Sequence, residues 1–279
     1  MELSEIIQSS TDYLNQVPAN FITKDDAIRR DLVGMRIYDV PLFKAASADD
    51  PLFAELRQPE IVHPDVMLPS DWLPGAKTVI SFFLPFTEAI RKSNTLSHFY
   101  PSDEWLHGRI EGQMMTALFA DHLKDRLIQN GYRAIYPVAD SRYKMLEEFK
   151  SNWSERHVAY ICGLGTFSLS KGLITEQGVA GRFGSIVTDC RIQPTERPYA
   201  TPFENCTMCG MCAKTCPAQA IDYKRGVIFG KDHPTCSAYL DKLKLAPHGP
   251  NQRVRYGCGK CQVGVPCQSV NPNRKRTGI

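Results

Sequence analysis

The run Cys206-Thr-Met-Cys209-Gly-Met-Cys212-Ala-Lys-Thr-Cys216-Pro217 constrains this chain more than any other feature. Its spacing is C-x2-C-x2-C-x3-C-P. Three closely spaced thiolates on one tight loop can hold three irons of a cubane, and the fourth turns to a neighbouring cluster. The spacing thus predicts a second cysteine set that returns one ligand to the first. Four more cysteines follow: Cys236, Cys258, Cys261 and Cys267. By position, Cys206, Cys209, Cys212 and Cys267 form one [4Fe–4S] set, and Cys216, Cys236, Cys258 and Cys261 form the other. The second motif is irregular, with 21 residues between Cys236 and Cys258 and Gln268 where a proline is usual. Two zinc sites, which also use paired C-x2-C ligands, are an alternative, as is one cubane with spare thiols.

Eight of the ten cysteines thus lie in the last third, and only Cys162 and Cys190 stand apart. Those two read as small buried hydrophobes. A secreted disulfide scaffold would spread its cysteines and carry an export signal, whereas Glu2-Leu-Ser-Glu5 has neither a basic start nor an apolar core. A reduced, cytoplasmic setting is expected. The longest apolar stretches, such as Thr78 to Phe86, fall far short of the ~20 residues of a spanning helix, so no membrane partner is expected. A hydrophobic content of 43% and a net charge of +3 exclude disorder.

Charge divides where the cysteines do. From Phe203 onward there are 12 basic and 4 acidic residues, net +8; the remainder has 21 and 26, net −5. Two oxidised clusters with their thiolates would add about −4, so the excess reads mainly as compensation for cluster charge. It reads less as a nucleic-acid surface, and Arg274-Lys275-Arg276 reads as a solvated tail.

The pattern predicts an α+β core over residues 1–195 and a cysteine module over 196–279, joined through the proline-containing stretch Gln193 to Pro202. Leu3, Ile6, Ile7, Leu14 and Val17 mark a first amphipathic helix. A short polar helix from Asp25 to Gly34 and a long ordered loop from Ile37 to Pro74 come next. Lys77 to Phe86 reads as a buried strand. Residues 103–130 form a long helix capped by Ser102 and stopped by Asn130-Gly131. Its expected inner face is Ile110, Met114, Ala117, Leu118, Leu123 and Leu127. Tyr132 to Val138 reads as a strand, 143–162 as one or two helices, and Phe167–Thr175 and Arg182–Thr188 as strands. A bare two-cluster ferredoxin needs only the last third, so the remainder must bind a donor or acceptor of electrons. No Gly-x-Gly-x-x-Gly after a strand and no Walker A motif point to a nucleotide.

Several segments carry a family likeness in order along the chain. They are Val138-Ala139-Asp140-Ser141, Ala159-Tyr-Ile-Cys-Gly163-Leu164-Gly165, Lys171-Gly-Leu-Ile174, Phe183-Gly184-Ser185-Ile-Val-Thr188 and the two cysteine sets. Over roughly residues 76–270 the chain resembles the epoxyqueuosine reductase and reductive dehalogenase superfamily. The resemblance implies cobalamin on a nitroreductase-like α+β core, followed by a ferredoxin-like domain whose two [4Fe–4S] clusters feed the cobalt. It implies an external donor of ferredoxin or flavodoxin type and a small-molecule or nucleoside substrate. The alternative is an electron-transfer or corrinoid-handling protein with no substrate chemistry of its own.

The resemblance also assigns residues. Asp140 would donate a proton over the cobalamin face, its carboxyl raised in pKa by the desolvating macrocycle. Equally, Asp140 could cap a following helix. Gly163, Leu164 and Gly165 would let backbone approach the corrin, or simply make a tight turn. His107 and His157 read as helix histidines rather than ligands. Two departures weigh against tRNA as partner. Thr166-Phe167-Ser168-Leu169 stands where the tRNA-modifying reductases continue with an aromatic and Gly-Lys, and the sequence ends twelve residues after Cys267, without their helical-repeat domain.

Overall fold

In the computed structural model, residues 2–248 and 252–273 are described; the Arg274–Arg276 tail lies outside them. The organising element is strand β2 (Thr78–Pro85), every residue of which is buried. It is central in an antiparallel sheet of order β1-β2-β8-β3, with β1 at Leu42–Ser47, β3 at Ala134–Ile135 and β8 at Gly181–Thr188. Thr78 pairs with Thr188 and Pro85 with Gly181 on one side; Ser47 pairs with Thr78 and Leu42 with Phe83 on the other.

Side chains alternate across a strand, so a strand buried on both faces must be apolar in both registers. Ile80, Phe82 and Leu84, with Phe86 beyond the strand end, pack on one face. They meet helix α1 (Leu3–Gln16) through Ile6 and Leu14, and helix α2 (Asp103–Gln129) through Phe119 and Leu123. On the opposite face Val79 packs with Trp72, Trp153, Ile161 and Cys162, and Phe83 packs with Leu164 and Phe167. Ile161 and Cys162 belong to helix α3 (Glu155–Cys162). The α+β class expected from the sequence is therefore the class observed. Cys162 and Cys190 are both buried and unpaired.

Several expectations need correction. The loop expected from Ile37 to Pro74 contains edge strand β1, whose Lys-Ala-Ala-Ser sequence has weak strand preference and is held by its register with β2. Residues 25–34 form turns and one 3-10 turn at Arg30–Leu32, not a polar helix. The strand expected over Tyr132–Val138 is only two residues long, because Pro137 cannot donate to a ladder and opens a 3-10 turn over Pro137–Ala139.

The helix expected from residue 143 begins only at Glu155. Before it, β4 (Met145–Glu147) and β5 (Lys150–Ser151) form a hairpin turning at Phe149, with φ +67°. Met-Leu-Glu-Glu favours helix locally, but buried Asn152 overrides it. Asn152 Nδ2 donates to Arg142 O (2.8 Å), its Oδ1 accepts from Lys144 N (3.0 Å), and its carbonyl accepts from Met67 N (3.0 Å). In α2 the Ser102 cap and the Asn130 end are as expected. The inner face is as expected only at Leu123 and Leu127: Met114 and Leu118 are 50% and 44% exposed, while Gly108, Glu111, Gly112, Met115 and Phe119 turn inward.

The module is bound back onto the core. Hairpin β6 (Gly165–Phe167) and β7 (Leu173–Thr175) accepts both of its ends. Asn205 Nδ2 donates to Ile174 O (2.8 Å), and Asn271 Nδ2 donates to Asn205 Oδ1 (3.0 Å). Cys267 O accepts from Val179 N (2.9 Å). On the α2 side, Arg255 Nη1 meets Glu111 Oε2 at 2.6 Å and Arg253 Nη1 meets Glu111 Oε1 at 2.7 Å. His107, fully buried, donates from Nδ1 to Glu111 (2.8 Å) and accepts from Ile28 N (3.1 Å), so it is a structural histidine. Burial alone would raise the Glu111 carboxyl, but the hydrogen bonds of His107 and Arg255 outweigh it and hold it at about 2.

Candidate functional site

The first cysteine loop is built by turns that no helix could supply. Met208 and Gly210 are left-handed (φ +51° and +73°), and a single helical turn, Met211–Lys214, carries Cys212 before Cys216. Cys206, Cys209, Cys212 and Cys267 line one pocket together with Leu169, Met208 and Val265. This is the set grouped from position alone, with Cys267 brought from 55 residues beyond Cys212. Burial and the thiolates of Cys206 and Cys209 push the Cys267 thiol up to about 12. Burial and neighbouring Cys261, Cys267, Cys206 and Cys209 push Cys212 up to about 12 as well.

The second set gathers beside it. Cys236 rides on helix α4 (numbered here after α3, His233–Lys242), whose cap is Asp232 Oδ1 accepting from Thr235 N at 2.8 Å. Cys258 precedes the 3-10 turn Lys260–Gln262, and Cys261 sits within it. Burial pushes Cys258 up to about 11, reinforced by Cys261, Cys216 and Cys236. Burial also raises Cys261, with Cys236 and Cys216 adding to it. The thiols of Cys216, Cys236, Cys258 and Cys261 thus act on one another, and Cys261 also lies near enough to Cys212 to act on it.

The donor set fits iron–sulfur cubanes. All eight donors are soft thiols, four of them lining one pocket, and crowded thiols of raised pKa give up protons when metal neutralises the thiolates. Among the described residues, no three His, Cys, Asp or Glu side chains converge tightly enough for a single metal ion.

The residues nominated for the corrin behave differently. Gly163 is left-handed (φ +99°) and caps α3, and a Cβ there would lie 3.0 Å from Glu196 O. At Gly165 a Cβ would lie 2.1 Å from Ile174 O, inside the β6–β7 pair. Leu164 is buried with Phe83 and Phe167. All three lie in a tight, buried turn packed against the chain itself.

Asp140 is paired with Arg142. Arg142 donates from N (2.9 Å) and Nε (2.8 Å) to its Oδ1 and from Nη2 (3.2 Å) to its Oδ2. These hydrogen bonds hold its carboxyl below the usual range. No helix follows to be capped; Asp140 ends the 3-10 turn instead. Arg142 is itself anchored on Asp71 O and Trp72 O (both 3.0 Å) and lies 5.1 Å over the Trp72 ring. Beside it opens a groove of about 700 Å³ bordered by Arg57, Ser141, Arg142, Lys144 and Asn152.

Sequence reasoning missed the carboxyl that does hold a proton. Burial pushes Glu155 up to about 8; its Oε2 accepts from Ser185 Oγ (2.7 Å), which accepts from Trp153 Nε1 (3.0 Å), and its Oε1 is shielded without a partner. Only the strand register that turns Ser185 toward α3 reveals this, and no local motif carries it. His157 packs 4.9 Å from Phe167 and meets Ser154 Oγ at 2.8 Å; burial, with Arg156 and Lys171 nearby, pushes it down to about 4.

Comparison with known proteins matches these features. Residues 202–222 fit the family model of the 4Fe-4S binding domain. No curated protein sequence matches the chain. Epoxyqueuosine reductase from Bacillus subtilis, captured with its catalytic aspartate loop swung out of the active site, aligns at TM-score 0.53 and 16% identity over 95% of this chain and 66% of its own. The Streptococcus thermophilus enzyme aligns at 0.53 and 14%, over 97% and 69%. The catabolic reductive dehalogenase NpRdhA in complex with 3-bromo-4-hydroxybenzoic acid aligns at 0.55 and 15%, over 99% and 38%. The chain thus spans about two thirds of the length of these reductases and much less of the dehalogenase. No described helix is long and apolar enough to cross a membrane. The chain has the fold shared by epoxyqueuosine reductases and reductive dehalogenases, and within it a 4Fe-4S binding domain.

Proposed function

We propose that the chain is an iron–sulfur oxidoreductase whose module, residues 196–279, holds two [4Fe–4S] clusters and serves the core, residues 1–195. The observation that carries this reading is the pocket that Cys206, Cys209, Cys212 and Cys267 line together, and it is supported by Cys216, Cys236, Cys258 and Cys261, whose thiols act on one another. Such clusters supply one-electron transfer at potentials set by their surroundings. The chain's contribution is to present the thiols, shield them with Leu169, Ile221 and Val265, and leave Cys209 exposed toward an external ferredoxin or flavodoxin-type donor.

The finer reading makes cobalamin the acceptor and a small molecule or nucleoside the substrate. It is supported by the fold shared with enzymes named for epoxyqueuosine reduction and reductive dehalogenation. Gly163, Leu164 and Gly165 offer it no cradle; the groove beside Asp140 is the described opening with room for part of a large cofactor. For Asp140 to hold a transferable proton, Arg142 must first release it. The swung-out aspartate loop of the B. subtilis enzyme supports such a movement.

A second reading, an electron-transfer or corrinoid-handling protein without substrate chemistry, is favoured by that same ion pair, which keeps Asp140 ionised. The two separate on adding cobalamin to anaerobically purified protein. A base-off corrinoid spectrum, with turnover lost in Asp140→Asn, is the outcome expected of the first. No corrinoid binding leaves the second.

A further inference from the structure

The two thiol sets have unlike electrostatic surroundings. No charged side chain lines the pocket of Cys206, Cys209, Cys212 and Cys267; its walls are serines, leucine, isoleucine, valine, prolines and Met208. Cations crowd the other set. Lys231, which bridges to Ile221 through its backbone, lies near Cys261, Cys236 and Cys216, whose charge raises the pKa of its ammonium against the effect of burial. Lys260, between Cys258 and Cys261 in the chain, is 3% exposed. Its Nζ donates to Asn94 O (2.7 Å) and Asn94 Oδ1 (3.1 Å), both neutral acceptors. Asn94 also binds the Cys258 carbonyl through Nδ2 (2.9 Å), which fixes this lysine to the ligand loop. Arg156, at the start of α3, donates to Lys171 O (2.7 Å) and acts on Cys261. Among the described residues, none of these three cations has a carboxylate within ion-pair distance.

An added electron increases a cluster's negative charge. Cations held close to one cluster, in surroundings poorer in water than the solvent, therefore favour its reduced form. From this we infer that Lys231, Lys260 and Arg156 make the Cys216/Cys236/Cys258/Cys261 cluster the more easily reduced of the two, so that electrons collect there. The inference rests on the two-cluster reading above. One electron from a low-potential iron–sulfur or flavin donor enters; its passage oxidises the Cys206-containing set and reduces the other, with no proton taken up and no bond made. Exposed Cys209 places the low-potential cluster at the surface, where the donor arrives.

The test is a potentiometric titration followed by EPR on the anaerobically purified full chain, together with iron analysis. Wild type is expected to show two one-electron waves, the lower of which is lost in Cys209→Ser. Lys231→Gln is expected to lower the upper wave by about tenfold in the reduced-to-oxidised ratio, ~59 mV for one electron, and to leave the lower wave in place. Lys231→Arg restores it to within about threefold. Arg156→Gln shifts the upper wave in the same direction by less, because its exposed charge is screened. Eight irons with an unmoved upper wave, or a shift of the lower wave alone, would overturn the inference and leave the two-cluster reading standing. Four irons in wild type would remove both. If Lys231→Gln fails to load iron, Arg156→Gln decides the matter by the same criterion.

Discussion

The core and the cysteine module keep their shape by different means. The core is organised by β2, apolar on both faces, and by helices laid over each face of its sheet. The module has a small buried cluster, Leu169, Cys212, Ile221 and Val265, fringed by Met208, Met211 and four cysteines, and Leu169 comes from the core. About 80 residues with so little apolar burial need staples. Two kinds are present: thiols that metal can unite, and polar contacts that bind the module to the core. The comparison teaches that cohesion in one half comes from packing and in the other from ligation and docking.

The largest expected effect breaks the docking. Arg255 is fully buried against Glu111, so Arg255→Ala removes one of the three groups that hold this buried carboxylate and leaves Arg253 and His107. Loss of a buried charge partner costs up to about 3–5 kcal/mol. Urea unfolding should show the loss, and hydrogen exchange should show the module amides exposed before those of β2 and β8. Uniform loss across both halves would contradict the contrast.

A smaller effect sharpens the packing side. Glu155 keeps its proton in the fold up to about pH 8, whereas in the unfolded chain it ionises near 4.5. Its contribution is full below pH 4.5 and declines as pH rises toward 8, since over that range only the unfolded chain releases the proton. Glu155→Gln should remove this decline and gain about 1–3 kcal/mol at pH 8, read as a Tm that no longer falls between pH 5 and 8. An unaltered pH profile would show that Glu155 is already ionised in the fold.

The smallest effect concerns the outward face of α2. Met114→Ser and Leu118→Ser should each change stability by less than about 0.5 kcal/mol, because both side chains are largely exposed. A loss above 2 kcal/mol in thermal unfolding would show that this face is covered in solution.

What the sequence revealed follows from the same contrast. Strand β2, the cap at Ser102 and the shared pocket of Cys206, Cys209, Cys212 and Cys267 were legible because apolar runs, caps and ligand spacing are local chemistry. The inner face of α2 was misread because its buried stripe includes Gly108, Glu111 and Gly112, which an apolar pattern skips. The hairpin at 145–151 was hidden by a helix-favouring sequence that Asn152 overrules from within the core. The Arg255–Glu111 bond joins residues 144 apart, and the Glu155–Ser185 bond depends on strand register. Neither leaves a trace in either residue's neighbourhood. Asp140 was found by motif, but its charge state is set by Arg142, whose anchors lie about 70 residues away at Asp71 and Trp72.

The central claim is that ligation by two cysteine sets organises the module. Iron and sulfide analysis of anaerobically purified wild type, Cys209→Ser and Cys236→Ser tests it most directly. About eight irons are expected in wild type, with about four remaining in each variant and a cubane EPR signal of different shape in the two. Four irons in wild type, zinc in place of iron, or a variant that keeps all eight would contradict it.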